Sequence, residues 1–204
     1  MTSTEPAMEE RRRAGPSTPV VGIAASAGGP SALSAILPHL AGLAAPILVV
    51  QHLDPRFEEV FVRWMRRISA LPLEAPRTGA ALQPGVVYVA PQGRHLKLGR
   101  NRTVALDMAP SGPHRPSADQ LFLSIAAHAG RAGVGVILTG MGDDGAVGLR
   151  ELRRAGGTTL AQDRGSSAVH GMPMAAESLG AAGATLPLTE IPAAIHAAVR
   201  TRTG

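Results

Sequence analysis

The stretch Pro19-Val20-Val21-Gly22-Ile23-Ala24-Ala25-Ser26-Ala27-Gly28-Gly29-Pro30 holds the first unit of the fold. Its apolar run suits a strand buried on both faces, and its small residues suit a tight turn. Pro30 then opens a helix-like segment reaching about Leu40, since proline's missing N–H costs nothing at the first helical position. The same grammar recurs downstream. Pro46 to Gln51 reads as a second buried strand ending at His52, and Phe57 to Ile68 as a helix with Phe57, Phe61, Trp64 and Ile68 on one face. Val134 to Leu138 is another buried strand, followed by a helix to about Ala155. Thr158 to Leu160 then reads as a strand, and Pro173 to Leu179 and Ile191 to Val199 as helices.

The middle of the chain differs. Val86 to Val89, His95 to Leu98 and Thr103 to Leu106 are short strands, the last two joined by a hairpin-type turn at Gly99-Arg100-Asn101-Arg102. Ser117 and Gln120 then have capping-box spacing for a helix that Gly130 stops. Strand–helix alternation with continuous apolar strands predicts an α/β fold. Its sheet would be doubly wound and mostly parallel, a Rossmann-like three-layer sandwich, with an inserted antiparallel hairpin at one edge.

Composition narrows the chemistry. At 204 residues, 45% hydrophobic and 17% charged, the chain has material for one core and little for a second. Cysteine is absent, which excludes disulfides, thiolate metal sites and a cysteine nucleophile. Aromatic residues make up 2%, too few for a stacking platform on single-stranded nucleic acid. No His-x-x-x-His or acid cluster has metal-ligand spacing, so no metal is expected. Residues 1–18 are polar and read as a flexible tail rather than a signal peptide. The longest apolar run, Leu40 to Val50, is broken by Gly42 and Pro46 and is too short to span a bilayer. A cytoplasmic protein is the expectation. Net charge is +5 although Lys97 is the only lysine, so arginine carries nearly all the positive charge. Genomic compositional bias or a basic surface for an acidic partner would each produce that balance.

Open parallel sheets bind ligands at the C-terminal ends of their strands. Here those ends carry Ser26, His52 and Asp143-Asp144, the parts of a nucleophile–base–orienter relay. Read singly, each has a plainer alternative. Ser26 could cap the next helix or line a phosphate loop, though the dinucleotide fingerprint fails at Ala24 and Ala27 and no P-loop Gly-Lys-Ser/Thr occurs. Around Ser26 the segment resembles a nucleophile elbow with Ala for the first Gly. His52 could be a loop histidine. Of His39, His95, His114, His128, His170 and His196, the loop residue His114 is the strongest competitor. One of the two acids would cap the helix after Gly145 and the other orient the histidine, while Asp119 would serve its own helix dipole.

Five blocks together resemble the bacterial chemotaxis protein-glutamate methylesterases. They are Val21 to Pro30, Val50-Gln51-His52, Arg115 to Phe122, Thr139 to Gly145 and Gly171-Met172-Pro173, in order across residues 20–200. The resemblance implies that residues 19–204 form a catalytic domain that needs no cofactor. Its implied reaction is hydrolysis of glutamate methyl esters on the cytoplasmic helices of chemoreceptors, releasing methanol, with deamidation of receptor glutamines in some members. Ser26 then matches the nucleophile, His52 the base and Asp144 the triad acid, because the position of Asp143 can be Asn in the family. Backbone N–H groups at Ala27 and Met141 match the oxyanion support. The implied partners are a methyl-accepting chemoreceptor and a separate regulator or receiver protein, with neither nucleic acid nor membrane insertion. Three departures stand out. A receiver domain common in the family has no counterpart in the short tail, Ala27 stands where a hydroxyl residue is frequent, and Asp163-Arg164-Gly165 lacks an expected acid. Two other functions remain to be discriminated: a catalytically idle module of this fold that docks on receptors or a kinase, and a nucleotide-binding α/β protein.

Overall fold

The computed structural model describes residues 18–109 and 112–203, so the tail expected at 1–18 lies almost wholly outside the described residues. In chain order the elements are β1 (Val20–Ala25), α1 (Gly29–Ile36), β2 (Ile47–Gln51), α2 (Glu58–Ile68), β3 (Leu73–Glu74), β4 (Val87–Val89), β5 (His95–Leu98) and β6 (Val104–Asp107). They continue with α3 (Ala118–Ala129), β7 (Gly133–Ile137), α4 (Ala146–Arg154), β8 (Thr158–Gln162), α5 (Gly171–Ser178), β9 (Ala184–Leu186) and α6 (Ile191–Thr203). Seven strands form one sheet in the order β3-β4-β2-β1-β7-β8-β9. Every neighbouring pair in it is parallel. From β1 the chain winds outward through β2 and β4, then returns to β7 on the other side of β1. The switch point is therefore the crevice between β1 and β7.

Alternation along β1 builds both sides of the core. Val21, Ile23 and Ala25 pack with α1, Phe61 and Met65 of α2 and Ile191 and Ile195 of α6. Val20 and Ala24 face the opposite layer, where Leu121, Phe122 and Ile125 of α3 meet Leu149 and Leu152 of α4. At Gly135 an added Cβ would stand 2.6 Å from the Leu149 side chain, so the missing side chain lets α4 approach the sheet closely. The doubly wound, three-layer expectation is met.

The structure corrects the reading in three places. The β5–β6 hairpin is antiparallel as expected, but it forms a separate two-stranded sheet rather than an edge of the large one. Its Leu96, Leu98 and Val104 join the α3 side of the core, and the Leu98 N–H donates to Ser124 Oγ of α3 at 2.8 Å. Phe57 leaves the buried face of α2. It sits in a preceding 3₁₀ turn, 59% exposed, and Met65 is buried in its stead. The edge strands β3 and β9 escaped the sequence reading because each is two or three residues long and pairs on one side only.

Candidate active site

Ala25 pairs with Gln51 in the β1–β2 register, so Ser26 and His52 are the next residues off two adjacent parallel strands. The alternation that turns Ala24 and Val50 toward α3 carries Ser26 and His52 to the same side. Ser26 is locked by its backbone: its N–H donates to Thr139 O at 3.0 Å, and its carbonyl accepts from Gly29 N at 2.8 Å. Gly28 makes the turn possible, with φ at +79° and room for an added Cβ only 2.7 Å from Ala168 Cβ. A side chain there would be strained twice, by conformation and by contact.

Gln51 ties the two loops together. Its Nε2 donates at 2.8 Å to both Ser26 O and His52 O, and the residue is 2% exposed. His52 N–H adds a bond to Ala25 O at 3.0 Å. Thr139 performs a similar service from β7, donating its hydroxyl to Ala27 O at 2.9 Å and accepting from Val169 N at 2.9 Å. Sequence reading missed both positioning roles. The available signal was a polar residue ending an otherwise apolar strand.

Asp144 meets His52. Its Oδ2 lies 2.8 Å from His52 Nε2, close in distance although the ring N–H is not aligned on the oxygen. Both side chains are nearly buried. A carboxylate on Nε2 favours the tautomer protonated there and leaves the Nδ1 lone pair open. Among the described residues Nδ1 is buried and has no hydrogen-bond partner, so the Ser26 hydroxyl does not bond to it in this state. Apo sites often hold such bonds long and tighten them on the substrate.

Asp144 also closes the N-terminus of α3. Its Oδ1 accepts from Ser117 Oγ at 2.9 Å and Asp119 N at 3.0 Å, and its Oδ2 accepts from Ala118 N at 2.7 Å. Burial would raise the Asp144 pKa, but the close approach of His52 and the bonds from Ala118, Asp119 and Ser117 outweigh it and hold the carboxyl below its ordinary value. Ser117 caps α3 as expected, accepting from Gln120 N at 3.3 Å. The expected helix cap after Gly145 comes from elsewhere. Neither Asp143 nor Asp144 provides a side-chain cap for α4; Asp119 Oδ1 does, accepting from Gly145 N at 3.0 Å and Gly148 N at 2.7 Å. Burial, with the neighbouring Asp144 charge acting the same way, raises the Asp119 pKa despite those bonds.

The other histidines separate cleanly. His95 is fully buried and structural, its Nδ1 accepting from Ser117 N at 3.1 Å and its Nε2 meeting Ala109 O at 2.9 Å. His114 stacks on His52, with ring centroids 4.4 Å apart and planes 12° apart. His170 pairs with Glu177 at 3.3 Å. Of the two residues expected to supply backbone N–H donors, Ala27 adjoins Ser26. The Met141 side chain stands 69% exposed beside Gly140, where an added Cβ would lie 2.9 Å from Ser26 Cβ. Among the described residues neither N–H is used in a backbone hydrogen bond. No cluster among those residues could hold a metal ion. None of their helices is long and apolar enough to cross a membrane.

Two adjoining cavities of about 470 and 200 Å³ lie against α2 and share Glu58, Val62 and Arg66. The larger begins at Pro55, just past His52.

Comparison with known proteins agrees with this fold. The family model described as CheB methylesterase matches residues 21–195. A relative from Anaeromyxobacter dehalogenans, named protein-glutamate methylesterase/protein-glutamine glutaminase 3, is 52% identical over 170 residues, 82% of this chain and 50% of the relative. A similarly named Burkholderia orbicola protein is 45% identical over 184 residues, 89% of this chain and 55% of its own. The crystal structure of the Thermotoga maritima CheB methylesterase catalytic domain superposes with a TM-score of 0.83 at 34% identity, covering 88% of this chain and 97% of that one. The chain thus spans about half the length of these curated relatives and nearly all of that catalytic domain. By its matched residues and its architecture, this chain belongs to the CheB methylesterase family.

Proposed function

We propose that this protein is a serine hydrolase that removes methyl groups from glutamate γ-methyl esters of a chemoreceptor, with Ser26, His52 and Asp144 as its relay. The observation that carries the reading is the 2.8 Å approach of Asp144 to His52 Nε2, made where Ser26 leaves the adjacent strand at the switch point. With Nε2 engaged, Nδ1 is the nitrogen that takes the Ser26 proton. Ser26 Oγ attacks the ester carbonyl, and the proton on Nδ1 passes to the departing methoxide, giving methanol and an acyl-enzyme. Water then attacks that acyl group with His52 again as base, releasing glutamate and restoring Ser26. Asp144 stays ionised throughout and stabilises the imidazolium. The Ala27 and Met141 N–H groups are the oxyanion donors. Deamidation follows the same path with ammonia as the leaving group.

A receptor segment carrying these glutamates is acidic, and the arginine-based net charge of +5 complements it. Arg66, exposed and lining both cavities against α2, and Arg115, exposed and next to His114, are candidate contacts. The reading also takes the receptor's cytoplasmic side as the place of action. Incubation with a methylated receptor cytoplasmic fragment tests it. Wild type should release methanol stoichiometric with the lost methyl groups, at a rate that falls with added salt. Absence of methanol release, with no labelling by a fluorophosphonate, would leave the idle docking module as the better reading.

A further inference from the structure

We infer that His114 is a positioning residue for His52: its ring is the flat wall that sets the plane of the catalytic imidazole and a π face that stabilises the imidazolium. This inference rests on the catalytic reading of Ser26, His52 and Asp144.

The last torsion of a histidine side chain is soft and roughly two-fold. One contact at Nε2 fixes a corner of the ring and leaves it free to rock. Here that contact is close but off line, so Asp144 alone does not define the plane. Where the plane tilts, Nδ1 swings away from Ser26. The nearly parallel His114 ring, 4.4 Å away at 12°, blocks that motion on one face.

The wall is itself anchored. Gly93 N–H donates to Arg115 O at 3.1 Å, and Ser117 N–H donates to the buried His95 at 3.1 Å, both on the stretch that follows His114. Residues 114–117 therefore touch both halves of the pair, His114 on the imidazole and Ser117 on the Asp144 carboxylate. A ring face attracts a cation stacked on it, and His52 becomes that cation when it takes the serine proton. The face, rather than a His114 nitrogen, is the working part.

The test is the rate of labelling by a fluorophosphonate, resolved into kinact and the binding constant KI, for His114→Ala, His114→Leu and His114→Phe. Loss of the wall should lower kinact about 10- to 100-fold in the Ala and Leu variants with KI unchanged, the scale of a small misplacement of a catalytic group. Phe keeps a flat face and should stay within about threefold of wild type. Wild-type kinact in Leu, or Phe as slow as Leu, overturns the inference. Should the Ala variant fail to fold, the Leu and Phe pair decides alone. Ser26→Ala runs beside them: undiminished labelling there refutes the catalytic reading itself, whereas its loss combined with an indifferent His114 refutes only the present inference.

Discussion

Asp119 and Asp144 cap each other's helices. Asp144, just before α4, accepts the N-terminal donors of α3, while Asp119, in the first turn of α3, accepts Gly145 and Gly148 N–H at the start of α4. The exchange joins two helix N-termini through two carboxylates and leaves one Asp144 oxygen facing His52. The residue proposed as triad acid is thus also a structural cap, so stability and activity are coupled at this point.

Asp119→Ala should remove the α4 cap and loosen the 143–145 loop. A loss of about 1–2 kcal/mol is expected from urea unfolding, with a fall in methyl-ester turnover because Asp144 loses its footing. Asp119→Asn keeps an acceptor oxygen and should recover most of both.

Asp144→Ala strands Ser117 Oγ, two backbone N–H groups and His52 together. The expected cost is about 1–3 kcal/mol of stability and about 10³- to 10⁴-fold in kcat. Asp144→Asn should lose comparable activity with a smaller stability loss.

The two carboxylates respond oppositely to acid. The Asp144 pKa lies below the unfolded value of about 3.9, so its contribution is complete above that value and is lost as pH falls through the native pKa. The Asp119 pKa is raised by burial, so its ionisation lowers stability as pH rises from about 3.9 through the native value. Unfolding curves between about pH 2.5 and 6 should therefore show Asp144→Asn with a shallower acid-side loss than wild type. Asp119→Asn should gain more stability than wild type over the upper part of that range.

Gln51→Leu removes the donors that bind both Ser26 O and His52 O inside the core. A stability loss of about 1–2 kcal/mol is expected, together with slower fluorophosphonate labelling than wild type. Labelling at the wild-type rate would show that the tether does not position the pair.

Much of this was legible in the sequence. Continuous apolar strands such as Val20–Ala25 and Ile47–Gln51 announced a parallel sheet buried on both faces, and Gly130 and Ser117 marked the ends of α3. The polar residues at strand ends led to Ser26, His52 and the Asp143-Asp144 pair, since parallel strands deliver their C-terminal ends to one edge, and the family resemblance chose Asp144 of the two. The partnerships formed across the fold were hidden. Nothing local to Asp119 shows that its carboxylate serves the other helix, and nothing local to His114 shows that its ring meets His52. Phe57 misled because helical spacing cannot reveal that the chain enters α2 through a 3₁₀ turn.

The central claim is that Ser26 is the nucleophile activated by His52. Fluorophosphonate labelling followed by mass mapping of the modified residue tests it most directly. The adduct should fall on Ser26, should vanish in Ser26→Ala while the fold persists, and should slow by about 10²- to 10⁴-fold in His52→Ala. An adduct on another residue, or undiminished labelling and methanol release by Ser26→Ala, would contradict it.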